Sequence, residues 1–208
     1  MKTVILGGSR GLGFALQQLY QARGVEARSI SRTTNPAADF SKLNLSAETV
    51  SLIWDLAPER IVYCAGGGPH GAYATKRYRD HEWAFAVNFL FPSFLLHQIL
   101  EKPDNWRKLR QICFIGSAIA ESKADPMAAS YCSAKHALMG LITSIQAEPH
   151  GTLDLRLYSP GYMDTGLLPQ NAWPRQRPNL VRSPREVAEN LATWLESPDS
   201  ANQHQVFE

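Results

Sequence analysis

The sequence predicts an α/β fold, a parallel sheet of about seven strands with helices covering both faces, and three observations lead there. Short apolar runs at 2–6, 26–31, 110–116 and 153–159 alternate with stretches whose apolar residues recur at helical spacing, which is the pattern of a sheet built from βαβ units. The first run passes directly into the glycine-rich turn Gly7-Gly8-Ser9-Arg10-Gly11-Leu12-Gly13. Later runs also end in turn or small residues, at Gly66 to Gly68, at Gly116-Ser117 and at Pro160-Gly161, so several strand ends open toward one edge.

Bulk properties narrow the function classes. A chain of 208 residues is most simply one domain, 1–208, large enough to bury a real core. Hydrophobic content of 44% with 19% charged residues is that of an ordinary soluble globular protein. A net charge of +2 without a clustered basic tract gives no reason to expect nucleic acid as a partner. Cys64, Cys113 and Cys132 are not spaced as metal pairs, so no metal is expected. An odd cysteine count without a secretion signal points to free thiols in a reducing compartment. With no leader and no long apolar segment, the expectation is a cytoplasmic protein without a membrane partner. Five of the thirteen prolines fall between Pro160 and Pro184, which predicts an irregular loop at about 161–183.

In chain order, residues 2–6 read as a buried strand. Leu12, Ala15, Leu16 and Leu19 then mark a helix that Gly24 stops. The glycines stand as G-x3-G-x-G, with Leu16 where G-x-G-x-x-G would place its last glycine. A helix N-terminus behind such a turn offers bare N–H groups and a positive dipole end to a phosphate. The second strand, 26–31, ends at Ser31-Arg32. An acid there would grip the 2′-hydroxyl of NAD; Ser31 and Arg32, with Arg10 approaching from the glycine turn, suit a 2′-phosphate, so NADP(H) is preferred over NAD(H). A weak strand is expected within 39–45, a short helix over 47–56 and a fourth strand from Arg60. That strand runs through Ala65 into Gly66 to Gly68, where backbone can approach a flat ligand. His70 follows within reach of a substrate. Residues 79–101 read as one long helix containing Pro92, which deprives the Asn88 carbonyl of its helical donor and invites a water there. Ser117 ends the fifth strand. A short loop with Asp125-Pro126 leads into a helix over 126–148, and a sixth strand covers 153–159. A helix over 184–195 has Ser183 as N-cap and Glu186 in the capping-box place, and 205–207 is a last short strand.

The chemistry centres on Ser130-Tyr131-Cys132-Ser133-Ala134-Lys135. Tyr131 and Lys135 are four apart and share a helix face. A phenol and an ammonium titrate near ~10 and ~10.4, so each is idle at neutrality. A nearby cation favours phenolate, and lowering a tyrosine by ~3 units takes roughly 4 kcal/mol of differential stabilisation. Such a pair would be a proton donor and acceptor poised near neutral pH.

These residues resemble the short-chain dehydrogenase/reductase family, and the likeness runs through nearly the whole chain. It rests on the G-x3-G-x-G turn, Cys64-Ala65-Gly66, Asn88, Ser117, Tyr131-x3-Lys135 and Pro160-Gly161, which occur in the family's order and at similar spacings. The resemblance implies a single doubly wound Rossmann sheet, an NAD(P) cofactor and interconversion of a carbonyl and an alcohol on a small molecule. It implies that Tyr131 is the acid/base, that Lys135 lowers the phenol's pKa and holds the nicotinamide ribose, that Ser117 binds the substrate oxygen and that Asn88 anchors a water leading to Lys135. It places Gly7, Arg10 and Leu12 against the cofactor phosphates and nicotinamide half, with Ser9, Gly11 and Gly13 of the same turn also binding the cofactor. Asn44 and Leu45 would take the adenine contacts, Ala65, Gly66, Pro160 and Gly161 would line the cofactor, and Thr165 would meet the carboxamide or pyrophosphate. Leu6 stands where the family usually has Thr, and Cys64 where Asn is common. Substrate choice is expected from His70, Tyr73, the region after Ser117 and a loop at 167–181 with Trp173, Arg175 and Arg177; the two arginines point to an acidic substrate group. Relatives commonly pair through the two long helices, so a homodimer or homotetramer is expected. A non-catalytic NADP-binding redox sensor is the alternative.

Overall fold

The computed structural model describes residues 1–122, 125–149 and 151–207. In chain order it runs β1 (Thr3–Leu6), α1 (Gly11–Ala22), β2 (Ala27–Ile30), α2 (Ser46–Asp55), β3 (Arg60–Tyr63), α3 (Tyr78–Phe85), α4 (Phe91–Glu101) and β4 (Gln111–Ile115). Then follow α5 (Ala118–Ser122), α6 (Ala129–Gln146), β5 (Asp154–Pro160), β6 (Tyr162–Met163), β7 (Val181–Arg182), α7 (Pro184–Glu196) and β8 (His204–Phe207). Six strands form one parallel sheet in the order β2-β1-β3-β4-β5-β8.

Both faces of that sheet are buried, as a parallel sheet requires. Side chains alternate across it: Val4, Leu6, Ile61, Tyr63, Ile112, Phe114, Leu155 and Leu157 pack under α2, α4 and α6. Ile5, Val62, Cys113, Ile115 and Tyr158 pack under α1 and α7, where they meet Leu12, Leu16, Tyr20, Val187 and Leu191. Gly24 ends α1 at φ +70, and the Ser183 hydroxyl accepts the Glu186 N–H at 3.1 Å at the start of α7. The Glu186 carboxylate turns to Arg182 at 2.8 Å.

The sheet has six strands, not seven, because the weak strand expected within 39–45 does not form. The contact with β2 shrinks to one parallel bridge between Ser31 and Ala37, and Leu43–Leu45 is a 3-10 turn. Local side-chain bonds take the backbone groups a ladder would use. The Thr34 hydroxyl accepts the Ser31 N–H at 2.7 Å and donates to the Pro36 carbonyl at 2.8 Å, while Asp39 accepts the Ser41 N–H at 3.1 Å. Phe40 anchors the segment, 5.6 Å from the Tyr63 ring and 5.0 Å from Phe91.

The long helix expected over 79–101 is continuous but contains one π-helical turn, Ala86–Leu90, just before Pro92. The wider turn lets the helix pass proline unbroken, and the Tyr63 hydroxyl donates to the Val87 carbonyl at 2.7 Å inside it. Contrary to the sequence reading, Tyr78–Glu101 is long and apolar enough to cross a membrane; its Phe91, Leu95, Leu96 and Ile99 are spent on the core. The short helix α5 was not expected. The loop at 161–183 is less irregular than predicted: β6 and β7 pair in parallel across its base.

At the end of the sheet opposite the strand-end turns, two buried arginines cap α7. Arg60 donates to the Leu195 carbonyl at 3.1 Å and to the Tyr20 hydroxyl at 3.0 Å. Arg156 bonds the Trp194 carbonyl, the Ser197 carbonyl at 2.8 Å and the Asp154 carboxylate at 2.8 Å. Cations thus answer the carbonyls at the C-terminal end of α7, where the backbone offers Trp194 only the Ser197 N–H at 3.3 Å, and meet the negative end of the helix dipole. Arg156→Ala would take the cation from Asp154 and the charged donor from the Trp194 and Ser197 carbonyls, which keep only the long backbone bonds from the Ser197 and Ser200 N–H groups, both 3.3 Å. It is expected to lower unfolding free energy by about 3–5 kcal/mol, read as the urea midpoint.

Candidate active site

The carboxyl ends of β1, β3, β4 and β5 open into one groove, and glycines bring its walls together. Gly7 has φ +95, and a Cβ there would lie 2.5 Å from the Ala65 nitrogen; one on Gly13 would lie 2.5 Å from the Gly7 carbonyl oxygen. Only glycine lets the turn after β1 touch both the β3 loop and α1. No side chain caps α1, whose N-cap Arg10 is extended, and its first turn holds no acid. Its N–H groups are therefore open to an anion.

Most of the sequence-predicted residues meet in this groove. Gly7, Ser9, Arg10, Gly11 and Leu12 form one wall and Ser31 and Arg32 extend it; Ala65 and Gly66 lie along it, and Ser117, Tyr131, Lys135, Pro160, Gly161 and Thr165 close the other end. Gly13 stands behind, packed on Gly7. Asn44 and Leu45 are not in the lining. Without a third strand to carry the chain onward, the turn after β2 instead presents Asp39 and Phe40. The clue in the sequence was Phe40, the first large apolar residue after β2.

Tyr131 and Lys135 lie one helical turn apart on α6, as their spacing requires. Lys135 is only 3% exposed, and its ammonium donates to the Ile115 carbonyl at 2.6 Å, 5.8 Å from the centre of the Tyr131 ring. Burial lowers this ammonium to about 8, with Glu121 the carboxylate that opposes the shift. Burial also pushes the Tyr131 phenol up to about 12, against a hydrogen bond from Ser117. The expected lowering of the phenol by the lysine does not occur: desolvation dominates, the charges of Glu121 and Asp125 add to it, and Lys135 is not among the groups that act on the phenol. At neutral pH the phenol keeps its proton and the amine its charge, which is the state of a proton donor.

Asn88 is fully buried, outside the groove lining. Its amide donates to the Gly67 and Ala84 carbonyls, both at 2.6 Å, and its side-chain oxygen accepts the Gly67 N–H at 3.2 Å. A Cβ on Gly66, Gly67 or Gly68 would lie 2.8 Å from Asn88, 2.6 Å from Trp83 and 2.8 Å from Tyr131, respectively. This glycine run serves close approach to the protein's own helices more than to a flat ligand.

Ser117 and Tyr131 also line a second cavity of about 300 Å³. Its walls are mostly apolar, with Ile119, Met127, Met163, Leu168 and Trp173 among them, and its polar members include His70, Asp125 and Tyr162. Asp125, hydrogen-bonded to Tyr162, has its carboxyl pushed up by burial. Tyr73 is not in the lining and stacks on His81 at 4.2 Å. The arginines expected to meet an acidic substrate are turned to the loop itself. Arg175 pairs with Asp164 at 2.6 Å and donates to the carbonyls of Thr165, Leu168 and Pro169, and Arg177 sits 5.7 Å from the Trp173 ring centre. Neither lines the cavity.

No family model matches the chain. It is 25% identical over 221 residues to the cyclic-di-GMP-binding biofilm dispersal mediator protein of Escherichia coli (strain K12), covering 96% of this chain and 91% of that one. It is 23% identical over 214 residues to 3-ketodihydrosphingosine reductase of Yarrowia lipolytica (strain CLIB 122 / E 150), covering 87% of this chain and about half, 56%, of that protein. Among solved structures, 4-hydroxyisoleucine dehydrogenase complexed with NADH superposes with a TM-score of 0.81 at 17% identity, covering 100% of this chain and 97% of the other. BdcA in complex with NADPH gives 0.78 at 22%, covering 99% and 92%. A short chain dehydrogenase/reductase family protein gives 0.78 at 20%, covering 99% and 95%. The chain resembles the short-chain dehydrogenases/reductases and has their fold over its full length.

Asn88→Ala and Asn88→Asp both remove the amide that serves two buried carbonyls. Each is expected to cost about 1–3 kcal/mol of stability, measured by urea unfolding, with the aspartate no better than the alanine.

Proposed function

We propose that this chain is a cytoplasmic short-chain dehydrogenase/reductase, one domain over 1–208, that uses NADP(H) in preference to NAD(H) to interconvert a carbonyl and an alcohol on a small molecule. One observation carries the reading. Ser117 and Tyr131, hydrogen-bonded to each other, stand where an elongated groove with an anion-ready helix terminus meets an apolar cavity, with Lys135 buried behind them.

The groove's donors fit a dinucleotide. Open N–H groups at the start of α1 suit the pyrophosphate, and Arg10 and Arg32 suit a 2′-phosphate. No acid ends β2; Asp39, which does reach the groove, accepts the Ser41 N–H and hydroxyl at 3.1 and 2.7 Å. The cofactor, when bound, supplies or accepts the hydride at the substrate carbon. In reduction Tyr131 gives its hydroxyl proton to the substrate oxygen. Ser117 donates a hydrogen bond to the same oxygen as charge develops there. The Lys135 ammonium stabilises the phenolate left behind, and Asn88 holds the loop and helix that frame the pair. The cavity favours a carbonyl compound with an apolar body. Three unpaired cysteines fit a reducing compartment, and the continuous helix Tyr78–Glu101 and α6 are the faces through which a homodimer or homotetramer would form.

The likeness to a cyclic-di-GMP-binding protein favours a second reading, a non-catalytic NADP-binding sensor. The two separate on NADPH oxidation, followed by absorbance, against ketones, aldehydes and quinones. Turnover of any of them supports the enzyme, and tight NADPH binding without turnover supports the sensor.

Tyr131→Phe is expected to cut kcat by about 10²–10⁴-fold while NADPH affinity holds within about twofold; retained turnover would exclude the assignment. Arg32→Ala should weaken NADPH about tenfold, one charged contact's worth, and leave NADH unchanged. For wild type, kcat and NADPH affinity should both fall as pH rises past about 8, where Lys135 loses its proton.

A further inference from the structure

Glu121 is a buried carboxylate that no step above uses. Its side chain is 5% exposed and lies beneath Ser117. One oxygen accepts the Ser117 N–H at 3.0 Å and the Ser159 hydroxyl at 2.7 Å; the other lies 3.1 Å from Nε2 of His204, which is also 2.9 Å from the Ser159 hydroxyl. The Glu121 N–H in turn donates to the Ser117 carbonyl at 3.0 Å, so both backbone groups of Ser117 are held by this one residue. Room for the carboxylate comes from Gly116, where a Cβ would fall 2.3 Å from both Glu121 Oε1 and the Ser159 hydroxyl oxygen. A single carboxylate thus joins the end of β4, the first turn of α5, the end of β5 and the edge strand β8.

It is also ionised. Burial pushes its carboxyl up, but hydrogen bonds from His204, Ser159 and the Ser117 backbone outweigh that and hold it below the usual range. The charged and titratable groups around it are His204 on β8 and Lys135 and Tyr131 on α6; Asp125 adds its charge at Tyr131, and His136 of α6 reaches the Ala120 carbonyl at 3.5 Å. Glu121 is the carboxylate that acts on Lys135, and it acts on Tyr131 as well.

We propose that Glu121 is a positioning residue for the reaction: tied by His204 and Ser159 to the sheet edge, it fixes the backbone that carries Ser117 and sets a permanent negative charge facing Lys135 and Tyr131. The inference rests on the reductase reading. A negative neighbour favours the protonated form of both groups. Removing the charge therefore lets Lys135 and Tyr131 deprotonate at lower pH, whereas moving it frees Ser117 without discharging the site.

Three variants test this, each compared with wild type in NADPH affinity by fluorescence and in kcat from pH 6 to about 10. Glu121→Gln keeps the acceptor for the Ser117 N–H but not the charge; its alkaline limbs in both measurements should move down by about half to one pH unit. His204→Gln keeps a donor to a still-charged Glu121, and its limbs should stay in place. Glu121→Asp keeps the charge but withdraws from Ser117; kcat should fall at least fivefold at unchanged NADPH affinity. Limbs that stay in place in a folded Glu121→Gln, or move equally in His204→Gln, overturn the electrostatic role. Full kcat in Glu121→Asp overturns the positioning role, and it decides alone should Glu121→Gln not fold. Wild type that binds NADPH but reduces no carbonyl defeats the reductase reading, while the affinity profiles still judge the charge. Wild type that does not bind NADPH defeats both.

Discussion

A buried ammonium donating to a strand-end carbonyl, Lys135 to Ile115 at 2.6 Å, sets how α6 sits on the sheet. Taking an ammonium out of water costs several kcal/mol unless partners replace the solvent. The carbonyl and the negative field of Glu121 are those partners, and the depressed ammonium shows that they offset the cost only in part. Because Lys135 is pinned to β4, Tyr131 one turn earlier is carried to the residue that follows that strand by two, Ser117. The meeting of Ser117 and Tyr131 is therefore a consequence of where one cation can be tolerated.

The second constraint is empty space. Gly7, Gly13, Gly66, Gly67, Gly68 and Gly116 each sit where a Cβ would fall under 3 Å from another group. Removing the side chain lets three strand-end loops, α1, α3 and α6 crowd around one opening without blocking it. Asn88 then replaces the backbone partners that the Gly67 loop lacks. Glu121 does the same for Ser117, so the two hydroxyls at the centre are supported by buried polar groups outside the lining of both cavities.

The surroundings divide the labour. Arg60 and Arg156, at the far end of the sheet, serve helix carbonyls, and Arg175 serves the carbonyls of its own loop. Arg10 and Arg32 are the arginines in the groove lining. Cations with buried partners thus hold the fold, and those left in the groove face any ligand. A cavity whose walls are mostly apolar beside Ser117 and Tyr131 accords with an apolar substrate body.

Patterns repeated along the chain were legible without coordinates. Short apolar runs in the strands, helical spacing from Leu12 to Leu19, the stop at Gly24, the cap at Ser183 and the four-residue interval from Tyr131 to Lys135 each depend on neighbours in sequence, so residue identities alone fix them. The groove was legible in the same way, since glycine and small residues at strand ends mark it. Other features depend on groups that only folding brings together. The missing third strand turns on Thr34 and Asp39 capturing backbone groups, and the groove wall beyond β2 fell to Asp39 and Phe40 once that strand was lost. The direction of the Tyr131 shift depends on how much water is removed, a property of the packed surroundings. Arg175 finds its carbonyls only when the loop closes, and Glu121 meets His204 across 83 residues of chain (204 minus 121). Sequence determined the core strands, the main helices and the glycine turns between them; tertiary structure decided the marginal elements, which charges lose solvent and which partners answer them, because desolvation and pairing are set by distance in space.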